Sequence, residues 1–168
     1  MQTVPDGVPG GPGSSSRMSV HGVLRHVVHA ARALVSPVVL GVRAIALDGQ
    51  GRAILVRHSY MRGLYLPGGG VARGEHPEAA VMRELREEIG LVSAAPPELF
   101  ALYTRRSGLA TDHVAVYVVR GVAYEFRPGF EITGMVAADP AALPPDATPA
   151  TRRRLAEFTG REPRSTAW

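Results

Sequence analysis

Glu84, Glu87 and Glu88 stand at positions i, i+3 and i+4 of one continuous stretch, just before Gly90. If that stretch is helical, the three carboxylates are neighbours on one face. Like charges so spaced repel by roughly 0.2–0.5 kcal/mol per pair. They also sit at the C-terminal end of the helix, where the macrodipole prefers cations. Two local preferences are broken together, as happens where function overrides stability. A divalent cation removes both penalties. Hard cations such as Mg²⁺ take oxygen ligands and borrow further ones from substrate phosphates. The plainer alternative is a solvated acidic face softened by Arg83 and Arg86. A few residues upstream, Gly68-Gly69-Gly70 allows backbone to approach a ligand and aim N–H groups at an anion.

The elements that must position these groups are legible around them. Pro77 suits the first position of a helix and Gly90 the left-handed position past its end. Val81, Leu85 and Ile89 recur every four residues and supply its buried face, so a helix is predicted over Pro77–Ile89. Upstream, a strand over Val38–Leu47, a turn at "DGQG" and a strand over Arg52–His58 make a hairpin. A short strand at Tyr65-Leu66 leads into the glycines. Downstream, Glu98–Arg106 and His113–Val122 read as strands joined by a loop, "SGLATD", of the kind that carries specificity. Glu131–Ala138 reads as a further strand. Thr148 caps a last helix with Pro149 at its first position and Gly160 at its end. Its run Arg152-Arg153-Arg154 could bind phosphate but reads more simply as a solvated face.

Gly69, five residues, Glu75, seven residues and then Arg83-Glu84-Leu85-Arg86-Glu87-Glu88-Ile89-Gly90-Leu91 match the Nudix box at every defined position. The chain therefore resembles the Nudix hydrolases, the MutT-like family that cleaves nucleoside diphosphates linked to another moiety. The likeness extends more loosely through "VVLGVRAIALDGQGRAILVRHS" and "EITGMVAADPAALP", spanning residues 37–160. It implies an α+β fold, an α/β/α sandwich with a central mixed β-sheet between helices. It implies pyrophosphatase chemistry, with Mg²⁺ or Mn²⁺ held by Glu84, Glu87 and Glu88, and Glu131 loosely aligned with a late glutamate that serves as metal ligand or base. Gly69, Glu75, Arg83 and Gly90 then have structural roles in the box, with Glu75 and Arg83 paired. Pro67 and Gly68 place backbone beside the metals. Arg43, Arg57, Arg62, Tyr65, Arg105 and His113 are candidate substrate contacts. A span of four residues rises about 6 Å, enough for one or two ions.

The substrate itself is not readable. Markers expected for ADP-ribose, dinucleoside polyphosphate and coenzyme A hydrolases are absent. A catalytically silent Nudix-like nucleotide-binding module remains the alternative, although the box carboxylates are intact. An isoprenoid-diphosphate isomerase would need a cysteine, and the chain has none.

Length and composition bound the rest. At 168 residues and 45% hydrophobic content one domain with a real core is expected. Without Cys there are no disulfides, thiol nucleophiles or thiolate metal sites. All 19 basic residues are Arg, and the net charge is +4. That suits anionic substrates, such as the small nucleotide-type substrate the Nudix resemblance implies, but is too diffuse to argue for nucleic acid. Residues 1–17, rich in Gly, Pro and Ser, read as a disordered tail without a secretory signal. Residues 18–36 read as an amphipathic helix that would pack on the domain or on a second subunit of a homodimer. Its basic residues break any membrane span. Residues 161–168 read as a C-terminal tail, and a cytoplasmic location is expected.

Overall fold

The computed structural model describes residues 38–107 and 110–168. The tail expected over 1–17 and the helix expected over 18–36 lie outside them. The first hairpin consists of β1 (Val38–Asp48) and β2 (Ala53–His58). Period-two geometry sends alternate side chains of a strand to opposite faces. Val42, Ala44 and Ala46 accordingly join one apolar cluster with Val81, Leu85 and Ile89. Ile45 and Leu47 join a second, with Tyr103 and Leu155. One alternating strand thus feeds two cores, each covered by one helix.

Those helices are α1 (Pro77–Ile89) and α2 (Pro149–Phe158). Between them run β3 (Leu91–Ser93), β4 (Glu98–Ser107), β5 (Ala110–Tyr124) and β6 (Ile132–Ala138). The sheet order is β3-β5-β1-β2-β6, with β4 also paired to β5. β1 and β5 are parallel and the other pairs antiparallel, so the sheet is mixed. This is the α/β/α arrangement the sequence implied.

Packing decides the position of α1. Val81, Leu85 and Ile89 are fully buried, each worth about 1.5–3 kcal/mol relative to exposure. That outweighs the few tenths lost to carboxylate repulsion. The helix stops where expected: Gly90 has φ 67° and its N–H reaches the Arg86 and Leu85 carbonyls.

β1 and β2 diverge after Leu47↔Ala53, and residues 64–71 enter the gap between them. Tyr65 pairs with Val56 of β2. On the other side, Ala44 N–H donates to the Pro67 carbonyl at 2.8 Å, and Val42 N–H to the Gly69 carbonyl at 2.9 Å. The glycine loop is therefore sewn into the sheet under the end of α1.

Four sequence expectations need correction. "SGLATD" is not a six-residue loop: β4 and β5 pair as far as Ser107↔Ala110, and 108 and 109 lie outside the described residues. The three-residue β3 was not foreseen. The arginine run is not a solvated face: Arg154 is 1% exposed, and Arg152 donates to the Ala147 and Pro144 carbonyls, while Arg153 alone is exposed. Residues 161–168 are not a loose tail, since Thr166 and Trp168 hydrogen bond to the Thr104 backbone. No described helix is long and apolar enough to cross a membrane.

Candidate active site

The last two turns of α1 and the loop before β6 face each other across a cleft of about 200 Å³. Glu84, Glu87, Glu88 and Glu131 all line it, with Arg127 and Phe130. α1 supplies three of the carboxylates because its apolar stripe is buried on the sheet, which leaves the neighbouring face at the cleft. Glu131 directly precedes β6. It accepts the Tyr60 hydroxyl at 3.2 Å, and its carbonyl accepts Ser59 N–H.

The glutamates differ in surroundings. Glu88 is 7% exposed and accepts Gly68 N–H at 2.8 Å. Burial pushes its carboxyl up to about 7. Glu84 and Glu131 add to the rise, against the opposing effects of the Gly68 hydrogen bond and Arg43. Glu84 lies against the glycine loop: its carboxylate oxygens are 2.5 and 2.8 Å from where a Cβ on Gly69 would stand. Gly68, at φ 135°, holds a conformation that other residues rarely adopt, and a Cβ there would collide with the Val42 carbonyl. Glu87 is the most exposed of the three.

Arg83 ties this end of the helix to the loop. It donates to Glu75 through Nε at 2.9 Å and Nη2 at 3.0 Å, and to the Gly70 carbonyl. Its Nη1 lies between Glu84 at 2.8 Å and Glu87 at 3.2 Å. The hydrogen bonds from Arg83, then that from Ala72 N–H, hold Glu75 down at about 2.

The donor set fits a hard divalent cation. It is all carboxylate oxygen, it lines one cleft, and burial and acidic neighbours raise the Glu88 carboxyl, a penalty that a cation would offset. As they stand, no three acidic or histidine side chains among the described residues close around one point, and Arg83 bridges Glu84 and Glu87.

The expected substrate contacts divide. Arg43, Tyr65 and Arg105 line a second cleft, of about 240 Å³. Arg43, Arg105 and His113 line a third, of about 190 Å³, along Gly69 and Gly70. Arg43 Nη1 is buried without a protein partner. Burial lowers the Arg43 guanidinium, while Glu88 and Glu84 support its charge. Arg105 pairs with Asp112 at 2.7 Å. Pro67 and Gly68 contribute backbone only. Arg62 is exposed, and its carbonyl accepts the Tyr65 hydroxyl. Arg57 is engaged at 2.5 Å by Asp146 and lines none of these three clefts.

Sequence reasoning missed Arg127 and Phe130 at the carboxylate cleft, and Met61 and Trp168 at the second one. It also missed His58, which is buried between Tyr60 and Tyr65 with neither ring nitrogen partnered. Burial, then the nearby Arg43, lowers the His58 imidazole against the pull of Glu131. An aromatic beside Glu131 was the one available signal for Phe130.

Comparison with known proteins fits this geometry. The chain is 37% identical over 92 residues to an ADP-ribose pyrophosphatase of Mycobacterium tuberculosis, covering 52% of this chain and 44% of that one. It is 42% identical over 52 residues to an RNA pyrophosphohydrolase of Methylococcus capsulatus, covering 31% and 27%. The matched regions thus span less than half the length of either curated relative. Among solved structures, a MutT NUDIX hydrolase of Burkholderia pseudomallei superposes with TM-score 0.61 at 23% identity, over 70% of this chain and 95% of that one. At that identity the likeness is one of fold. A family model described as the NUDIX domain matches residues 37–160, and on that match the chain belongs to the NUDIX domain family.

Proposed function

We propose that the chain is a Mg²⁺-dependent hydrolase of a phosphoanhydride in a nucleoside diphosphate-linked substrate, with Mn²⁺ as an alternative ion. The observation that carries this reading is the meeting of Glu84, Glu87, Glu88 and Glu131 at one cleft, with Glu88 anchored to the glycine loop. Family membership and the pyrophosphatase names of its relatives support it.

Glu84, Glu87 and Glu88 hold the ion in this reading. When bound, the ion neutralises charge on the phosphate oxygens and acidifies water. The chain does the rest. Gly68 N–H orients the Glu88 carboxylate, and Arg83 with Glu75 fixes the loop against the helix. Arg43, Arg105 and His113 meet the phosphates along the glycine loop, with Tyr65, Arg62, Pro67 and Gly68 around them; Arg57, held by Asp146, is the least available. Water attacks phosphorus, the anhydride P–O bond breaks, and Glu131 takes the proton of the water. Residues 37–160 form the catalytic domain, residues 18–36 serve packing on that domain or on a second subunit of a homodimer, and the chain works in the cytoplasm.

Release of phosphate, pyrophosphate or nucleoside monophosphate from a panel of ADP-ribose, nucleoside triphosphates, dinucleoside polyphosphates and 5′-triphosphorylated RNA tests the reading. Turnover of at least one substrate with Mg²⁺, abolished by EDTA and restored by added metal, is expected. Binding of nucleotides without turnover of any would make the chain a silent binding module instead.

A further inference from the structure

We infer that Trp168 forms the aromatic wall of a nucleobase subsite at the far end of the groove that starts at Glu84. The inference rests on the proposed hydrolase reading for the kind of substrate, but its test does not require turnover.

The indole is held in place. Thr104 N–H donates to the Thr166 carbonyl at 2.9 Å, and Trp168 N–H to the Thr104 carbonyl at 3.2 Å. This fastens residues 166–168 along β4. Buried Arg154 donates from Nη1 to the Ala167 carbonyl at 3.0 Å, and its guanidinium carbon lies 5.5 Å from the Trp168 ring centroid. Tyr103 meets the indole edge-on at 5.8 Å. A ring fixed on its inner side has little further freedom to lose on binding, which favours it as a stacking partner.

The groove has an order. Glu84 abuts Gly69. Gly69 lines a cleft with Arg43 and Arg105. Both arginines also line the next cleft, whose walls include Met61, Tyr65 and Trp168. Carboxylates, glycine backbone, two guanidinium groups (that of Arg105 already paired with Asp112 of the same cleft) and then aromatic and thioether walls therefore follow one another. Arg43 Nη1, buried without a protein partner, marks the place for an anion midway. A ligand matching this order carries a metal-binding phosphate, a second anionic group, and a flat aromatic ring at its end. A nucleoside diphosphate has that sequence of groups, and base–aromatic stacking tolerates any base.

Trp168 is the chain's one tryptophan, so emission excited selectively at the indole, clear of the five tyrosines, reports on this subsite. The full chain in EDTA is titrated with AMP, ribose 5-phosphate and inorganic pyrophosphate. Saturable quenching by AMP, absent with the other two at equal concentration, is expected. Trp168→Ala should raise KM for the best nucleotide substrate roughly 5- to 150-fold, the range that base stacking gives, with a much smaller change in kcat. Trp168→Phe should recover most of that loss. Emission unchanged by millimolar AMP, or equal quenching by ribose 5-phosphate, overturns the subsite. So does a Trp168→Ala variant that melts lower yet keeps its KM, because the indole then only anchors the strap. Silent emission with intact Mg²⁺-dependent turnover rejects the subsite and leaves the hydrolase reading. AMP quenching in a chain that hydrolyses nothing rejects the hydrolase and leaves the subsite.

Discussion

The two helices each carry acidic and basic side chains into partly buried surroundings, and they treat them in opposite ways. On α2, Arg154 and Glu157 are 1% and 2% exposed and pair at 2.9 Å. Glu157 also accepts Tyr103 hydroxyl and Ser165 N–H, and Arg154 also reaches the Ala167 carbonyl and Ser165. Its guanidinium carbon lies 3.9 Å from the Tyr103 ring centroid. Only Arg154 Nε lacks a partner. On α1, by contrast, Glu84 and Glu87 share Arg83, the buried Glu88 carboxyl is pushed up to about 7, and the nearby Arg43 has an orphaned Nη1. Closed pairing belongs to a joint in the fold. Unmet charge at a cleft is what the proposed cation site would require.

That contrast can be broken at several points. The largest stability effect is expected at the closed pair. Arg154→Ala leaves Glu157 buried and uncompensated, a loss of about 3–5 kcal/mol, readable as a fall in the urea midpoint. If stability is unchanged, the pair is not the joint described. Next comes Gly68→Ala. Backbone strain at that φ costs about 1–3 kcal/mol, and the loop must shift from Val42. Because the loop N–H holds Glu88, turnover should fall along with the melting temperature; retention of both would show the loop adapts freely.

A smaller effect concerns Glu75. Its folded value, about 2, lies below the ordinary 4.5. The stabilisation from its pairing is therefore full above 4.5 and lost as pH falls toward 2. Melting temperatures of wild type and Glu75→Gln should differ near neutrality and converge across that window. A constant difference would mean that the pairing charge is not involved. The smallest effect is expected from deleting residues 1–17, whose composition offers little apolar surface to bury. Melting temperature and kcat should stay nearly unchanged.

Legibility in the sequence followed the same division. The ends of α1 were readable to the residue because Pro77 and Gly90 act through backbone conformation, which is local. The carboxylate spacing was readable because one helix carries it. Arg154 was not, since its partners Tyr103, Ala167 and Trp168 are remote in sequence, and a run of arginines normally means a wet surface. The pairing of Arg154 and Glu157 at i, i+3 beside Leu155 and Phe158 was a faint signal of burial. The insertion of residues 64–71 between β1 and β2 was equally hidden, because it depends on where two strands diverge. β3 was too short to display a period.

The central claim is that the α1 carboxylates are kept in mutual repulsion for catalysis, and Glu88→Gln tests it most directly. The change is nearly isosteric and leaves an oxygen to accept Gly68 N–H, while removing one buried negative charge. Melting is measured in EDTA and turnover in Mg²⁺, on the same preparation beside wild type. Metal-free stability should hold or rise, by roughly 0.3–1 kcal/mol from relief of the dipole and like-charge penalties. Turnover should fall about 10²–10³-fold, the usual cost of losing one strong electrostatic contact. Wild-type turnover would contradict the account by making the cluster a passive acidic face, and a clear loss of metal-free stability would contradict it by making Glu88 part of the scaffold.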